Sequence, residues 1–220
     1  MVEGLLQPTP FLVVLSGPSG AGKSSITRRI LVRHPAIAYS VSVTTRPIRK
    51  RESEGIDYFF ASEDAFRSRI EAGDFAEWAL VHGAYYGTPR EPILKAFEEG
   101  RKVLLDIDVQ GGRQIREKFG QGVFIFVIPP SRRELVTRLR GRKTDEDTVI
   151  RRRILEAGRE INELKNYHYL IVNSDLDHSV SRVEEIIHAE ECRVERIRGV
   201  EDWIRAFSAG EKEVGGASPA

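Results

Sequence analysis

Residues 17–24 read Gly17-Pro18-Ser19-Gly20-Ala21-Gly22-Lys23-Ser24, a G-x-x-x-x-G-K-S run. It lies between an apolar, β-branched stretch, FLVVL at 11–15, and SSITRRIL, whose apolar spacing is helical. The three glycines let the backbone turn sharply and aim successive N–H groups at one point, where the positive end of the following helix adds to their field. Such a nest holds phosphate oxygens. Lys23 is placed to reach the β- and γ-phosphates of a nucleoside triphosphate, and Ser24 to ligate a magnesium ion bridging them. The segment Gly17 to Ser25 is therefore the candidate triphosphate site, and its strand-loop-helix setting separates it from a merely flexible Gly-Ser turn.

A second set of reactive side chains follows in SVSVTTRPIRKRESEGIDYFF at 40–60. Arg46 and Arg49, with Lys50 and Arg51 beside them, concentrate positive charge in a proline-containing loop, and a guanidinium fork matches a pair of phosphate oxygens. A basic run alone is usually a solvated face. Here it has company: Ser42, Tyr58, Tyr86 and Thr88 supply hydroxyls, and Glu52 and Glu77 supply carboxylates, all on or beside short strands. Further along, Asp106 and Asp108 stand two apart at the end of the apolar run KVLLDID, so they share one face, toward the crevice where open α/β sheets bind ligands.

The elements that must position these groups alternate. Apolar strand-like runs at 11–15, 102–108, 123–128 and 169–172 are separated by helical runs near 23–33, 89–99, 131–141, 145–165 and 176–197. That order predicts an α/β fold with a parallel sheet covered by helices. Two interruptions break it. Residues 39–88 carry short alternating runs and the helical stretch SEDAFRSRIEAG, which predicts a small, partly antiparallel insertion. Residues 131–154 predict a helical hairpin broken near Gly141 and rich in arginine. The expected division is an extension at 1–10, a core of 11–38, 89–130 and 155–207, the two interruptions, and a disordered tail at 208–220.

Composition narrows the function classes. The chain has 220 residues, with 34 Lys and Arg against 33 Asp and Glu, so its net charge of +1 gives no global attraction to nucleic acid or membranes. Residues 1–10 lack the basic start and apolar run of a signal peptide, and no stretch approaches membrane-spanning length; the expected location is cytoplasmic. The single cysteine, Cys192, has no partner for an internal disulfide. His34, His82, His168, His178 and His188 are scattered without ligand spacing and read as structural or exposed.

Taken together, GPSGAGKSS, SVSVTTRPIRKRESEGIDYFF, FAEWALVHGAYYGTP, LLDIDVQGG, RLRGRKTDEDTVIRRRI and LIVNSDLD resemble, in order and spacing, the guanylate kinases, over residues 11 to about 190. The resemblance implies a P-loop kinase core, a GMP-binding insertion at 39–88, a closing lid at 131–154, and magnesium-dependent transfer of phosphate from ATP to GMP or dGMP. It further implies that Ser42, Arg46, Arg49, Tyr58 and Tyr86 hold the GMP phosphate, with Glu52 supporting the arginines. Glu77, Thr88 and Asp108 would then read guanine, whose N1–H and 2-amino group are adjacent donors that one carboxylate accepts together. Asp106 would serve the water shell of magnesium. Arg138, Arg142 and Arg153 would arrive with the lid to stabilise charge on the transferring group, and Asn173 would contact adenine.

Two other readings compete. Guanylate-kinase-like domains of scaffold proteins bind phosphopeptides without catalysis, but their phosphate loops are typically degraded, whereas Lys23, Ser24 and the lid arginines are present here. A P-loop kinase for another acceptor would lack the guanine-reading set, which is complete in this chain.

Overall fold

The computed structural model describes residues 6–50, 52–141 and 147–214. Five strands form the main sheet: β2 (Leu12–Ser16), β3 (Ala38–Tyr39), β8 (Val103–Asp106), β9 (Gly122–Ile128) and β10 (Tyr169–Val172). Their order is β10-β9-β2-β8-β3, and every pairing is parallel. All five residues of the central β2 are buried, which is why its sequence is a continuous apolar run rather than an alternation.

Alternate residues of β2 feed two cores. Val13 and Leu15 pack with Ile26 and Ile30 of α1 (Lys23–Arg33) and with Val180, Val183 and Ile187 of α7 (Leu176–Glu191). Leu12 and Val14 face the other way, onto Ile93 of α3 (Arg90–Glu98) and Ile115 of α4 (Val109–Phe119). Each such fully buried aliphatic side chain contributes about 1.5–3 kcal/mol to holding the layers together.

The insertion is a four-stranded sheet in the order β5-β4-β7-β6, built from β4 (Val43–Thr44), β5 (Phe59–Phe60), β6 (Phe75–Val81) and β7 (Ala84–Pro89), with α2 (Glu63–Glu71) beside it. The β6–β7 and β4–β7 pairs are antiparallel, while β4–β5 is parallel. Its own small core stacks Phe66 on Phe75 with ring centroids 4.5 Å apart and on Tyr85 at 5.3 Å. A two-residue turn, His82-Gly83, joins β6 to β7 with both φ angles positive, 53° and 85°, as a tight hairpin demands.

The arginine-rich hairpin is α5 (Arg132–Gly141) and α6 (Asp147–Glu160), packed through Leu135, Leu139, Ile150 and Ala157. The expected boundary at 154 falls inside α6, which continues through Ile154-Leu155-Glu156-Ala157 and across Gly158 to Glu160. A 3-10 turn, Ile161–Asn166, follows it. The helix expected to 197 ends at Glu191; a 3-10 turn at Val194–Arg196 and β11 (Ile197–Arg198) replace its last residues. Strand β11 pairs with β1 (Gln7–Pro8), so this part of the expected extension is tied to the C-terminal region, and 1–5 lie outside the described residues. The last helix, α8 (Val200–Val214), reaches into the tail expected to lack structure, and 215–220 lie outside the described residues. Among the described residues no helix is long and apolar enough to cross a membrane.

Candidate active site

The parallel register sets Leu15 beside Asp106, so the phosphate loop and the first of the paired aspartates emerge side by side from the carboxyl edge of the sheet. Gly17 takes φ 133°, and a Cβ there would overlap the carbonyl oxygen of Val127 and lie 3.2 Å from its carbon. Only glycine lets the loop rest directly on β9. Lys23 opens α1, and its Nζ donates to the carbonyls of Gly17 at 2.6 Å and Pro18 at 3.4 Å, across the mouth of the loop. Ser24 Oγ donates to Asp106 Oδ2 at 2.7 Å, bringing together the two oxygen donors that the sequence assigned to one metal ion.

Facing this loop across a cavity of about 210 Å³ stand Ser42, Arg46, Arg49, Tyr58, Glu77 and Tyr86, with Asp106, Asp108 and Arg153 also in the lining. Arg46 is held on every side. Its two terminal nitrogens reach the two oxygens of Glu52 at 2.6 Å each, Nε donates to the Tyr86 hydroxyl at 3.1 Å, and the guanidinium lies 4.9 Å from the Tyr58 ring centroid. Burial opposes ionisation of Glu52, but the Arg46 hydrogen bond and the Arg49 amide outweigh it and hold the carboxyl below its ordinary range. Burial first, then the field of Asp106, raises the Tyr58 phenol, which stays protonated and able to donate.

Glu77 is only 4% exposed. It pairs across the β6–β7 ladder with Thr88, whose hydroxyl donates to Oε1 at 2.5 Å. Burial pushes its carboxyl up to about 7 against the hydrogen bonds of Thr88, and the nearby Asp108 adds to the rise. Asp108 serves α4 as well as the cavity: it is the N-cap, accepting from Gly111 N at 2.8 Å.

Several expected residues stand elsewhere. Thr88 is fully buried behind Glu77 and does not line the cavity, because its hydroxyl is spent on the carboxylate. Asn173 lies beneath the loop: its Nδ2 donates to Ala21 O at 2.8 Å and its Oδ1 accepts from Ser179 Oγ at 3.0 Å, so its amide supports the loop rather than facing the cavity. Arg138 reaches the same spot, donating to Asn173 O at 2.9 Å and Ala21 O at 3.4 Å. Arg142 lies outside the described residues.

Sequence reasoning missed Glu160 and the placement of His82. Glu160 lines the cavity beside Ser19 and Lys23; burial pushes it up to about 7, offset in part by the Lys23 charge and the Ser19 N–H. His82, also in the lining, sets Nδ1 2.6 Å from Glu156 Oε2 and so joins the insertion to α6. The signal was available: Arg153, Glu156 and Glu160 follow the 3-4 spacing of one helix face.

The sequence profile described as "Guanylate kinase" matches residues 10–190. A guanylate kinase of Caldanaerobacter subterraneus is 45% identical over 197 residues, covering 90% of this chain and 96% of the relative. One of Syntrophotalea carbinolica is 50% identical over 187 residues, covering 85% and 89%. The crystal structure of guanylate kinase from Anaplasma phagocytophilum superposes with a TM-score of 0.77 at 33% identity, covering 92% of this chain and 97% of that one. A phosphate loop facing a basic, tyrosine-lined insertion with one buried carboxylate, and likeness over nearly the full length, place the chain in the guanylate kinase family.

Proposed function

We propose that this chain transfers the γ-phosphate of ATP to GMP, and to dGMP, giving ADP and GDP. The observation that carries the reading is the shared cavity: the phosphate loop forms one wall, and the arginine, tyrosine and glutamate set forms the other. Backbone N–H groups from Ser19 to Ser25 hold the donor phosphates, and Lys23 turns its ammonium from the loop carbonyls toward the β- and γ-oxygens. Arg46, fixed by Glu52 and Tyr86, joins Arg49, Ser42 and Tyr58 in gripping the acceptor phosphate. That phosphate is already anionic at neutral pH, so alignment matters more than a general base.

Ionised Glu77 accepts from N1–H and the 2-amino group of guanine, while adenine presents a lone pair at the first of these positions. Thr88 holds that carboxylate in place. Arg153, with Arg138 and Arg142 from the hairpin, supplies positive charge to the equatorial oxygens of the transferring group. Ser24 and Asp106 fit magnesium, because a hydroxyl and a carboxylate 2.7 Å apart are the hard oxygen donors that ion prefers. Bound with ATP, it would neutralise phosphate charge and orient the γ-group. A coupled ADP-release assay with a panel of nucleoside monophosphates tests the assignment. Activity confined to GMP and dGMP supports it, and no turnover with any monophosphate would favour a phosphopeptide-binding module.

A further inference from the structure

Strand β6 is the edge of the insertion sheet, so the backbone groups on its outer side have no strand to pair with. Helix α4 of the core takes that place. Gln114 Nε2 donates to Trp78 O at 2.6 Å while its Oε1 accepts from Trp78 N at 3.3 Å, so one amide side chain imitates a neighbouring strand. One turn further, Lys118 Nζ donates to Ala76 O at 2.9 Å, at the irregularity where the β6–β7 register shifts between Phe75 and Glu77. These bonds fall on the residues immediately before and after Glu77. The same helix also shapes the space the carboxylate occupies. A Cβ on Gly111 would collide with Glu77 Oε2 and lie 2.8 Å from Cδ, so the carboxylate sits in a notch that exists only because residue 111 is glycine.

We propose that Gln114 and Lys118 are positioning residues for acceptor-base discrimination, clamping β6 on both sides of Glu77 and seating its carboxylate in the Gly111 notch; this rests on the reading that Glu77 recognises guanine. Neither residue lines the cavity. Both act through β6, where a displacement of about 1 Å is enough to spoil a two-point hydrogen bond.

The test is steady-state kinetics of Gln114→Leu, Lys118→Met and Lys118→Arg, with GMP and AMP as acceptors. The first two should raise KM for GMP about tenfold, leave KM for ATP and kcat within about twofold, and narrow the preference for GMP over AMP. Lys118→Arg, which keeps a donor, should recover most of the loss. Gly111→Ala should give the same signature by filling the notch. Partial unfolding lowers apparent kcat but not KM, so a destabilised variant remains readable. Equal increases in KM for ATP and GMP, or an unchanged KM for GMP, overturn the proposal. Glu77→Gln measured alongside separates the two ideas. If it keeps the GMP preference, the guanine reading itself fails; if it loses the preference while the Gln114 and Lys118 variants retain theirs, only the positioning role fails.

Discussion

In the phosphate loop the candidate binding groups are main-chain groups set by nine consecutive residues, Gly17 to Ser25, lying on β9 through Gly17. Across the cavity the candidate groups are side chains drawn from positions 42 to 108, and two of them are held by partners of their own: Arg46 by Glu52 and Tyr86, Glu77 by Thr88 and α4. The contiguous half needs local backbone geometry and one lysine. The dispersed half needs a correctly assembled sheet, so its specificity depends on residues that never touch the ligand.

The largest expected effect tests the contiguous half. Lys23→Ala removes the charge nearest the transferring group, and kcat should fall by about a thousandfold while circular dichroism and melting temperature stay near wild type. A variant with near-normal turnover would mean that the loop binds a phosphate without taking part in transfer. Next in size is the hairpin. Arg153→Met, at the seam between the halves, should lower kcat about a hundredfold with little change in KM for GMP. A change confined to that KM would move Arg153 into the acceptor half.

The smallest effect sharpens the dispersed half. Glu77 is pushed up to about 7 by burial, with Asp108 adding to the rise and Thr88 and Lys118 opposing it. On the proposed reading the ionised form accepts both guanine donors, so kcat/KM for GMP should rise about tenfold between pH 6 and pH 8, beyond any rise seen with Glu77→Gln. Stability runs the other way. Glu77 and Glu160, both near 7 in the fold against 4.5 in an unperturbed chain, bind protons more tightly when folded. Their contribution to stability is full below about pH 4.5 and is lost as pH rises through about 7. Glu160→Gln should therefore flatten the decline in melting temperature between pH 5 and pH 8; an unchanged decline would assign it to other groups.

The same contrast explains what the sequence made legible. The phosphate loop and α1 could be read directly, because motif, strand and helix are adjacent in the chain. The arginine cluster was legible with Glu52 as its support through the resemblance, but the partner of Glu77 was not, since its pairing with Thr88 depends on a ladder register. Helix α4 went unread because Gly111 and Gly112, poor helix formers, stand in its first turns, where they let Glu77 and Tyr167 approach. The resemblance implied a ligand contact for Asn173, and nothing in the sequence shows that Ala21 and Ser179 also take its amide.

The continuity of α6 from Asp147 to Glu160 makes it a lever. Arg153 and Glu160 are seven residues apart, about 10 Å along a helix axis, with Glu160 beside the phosphate loop and Glu156 bound to the tip of the insertion between them. A tilt of about 10° about the Glu160 end would carry Arg153 through about 2 Å, the difference between a made and a broken hydrogen bond to a phosphate. A small rotation at the donor end would thus decide whether Arg153 meets the transferring group.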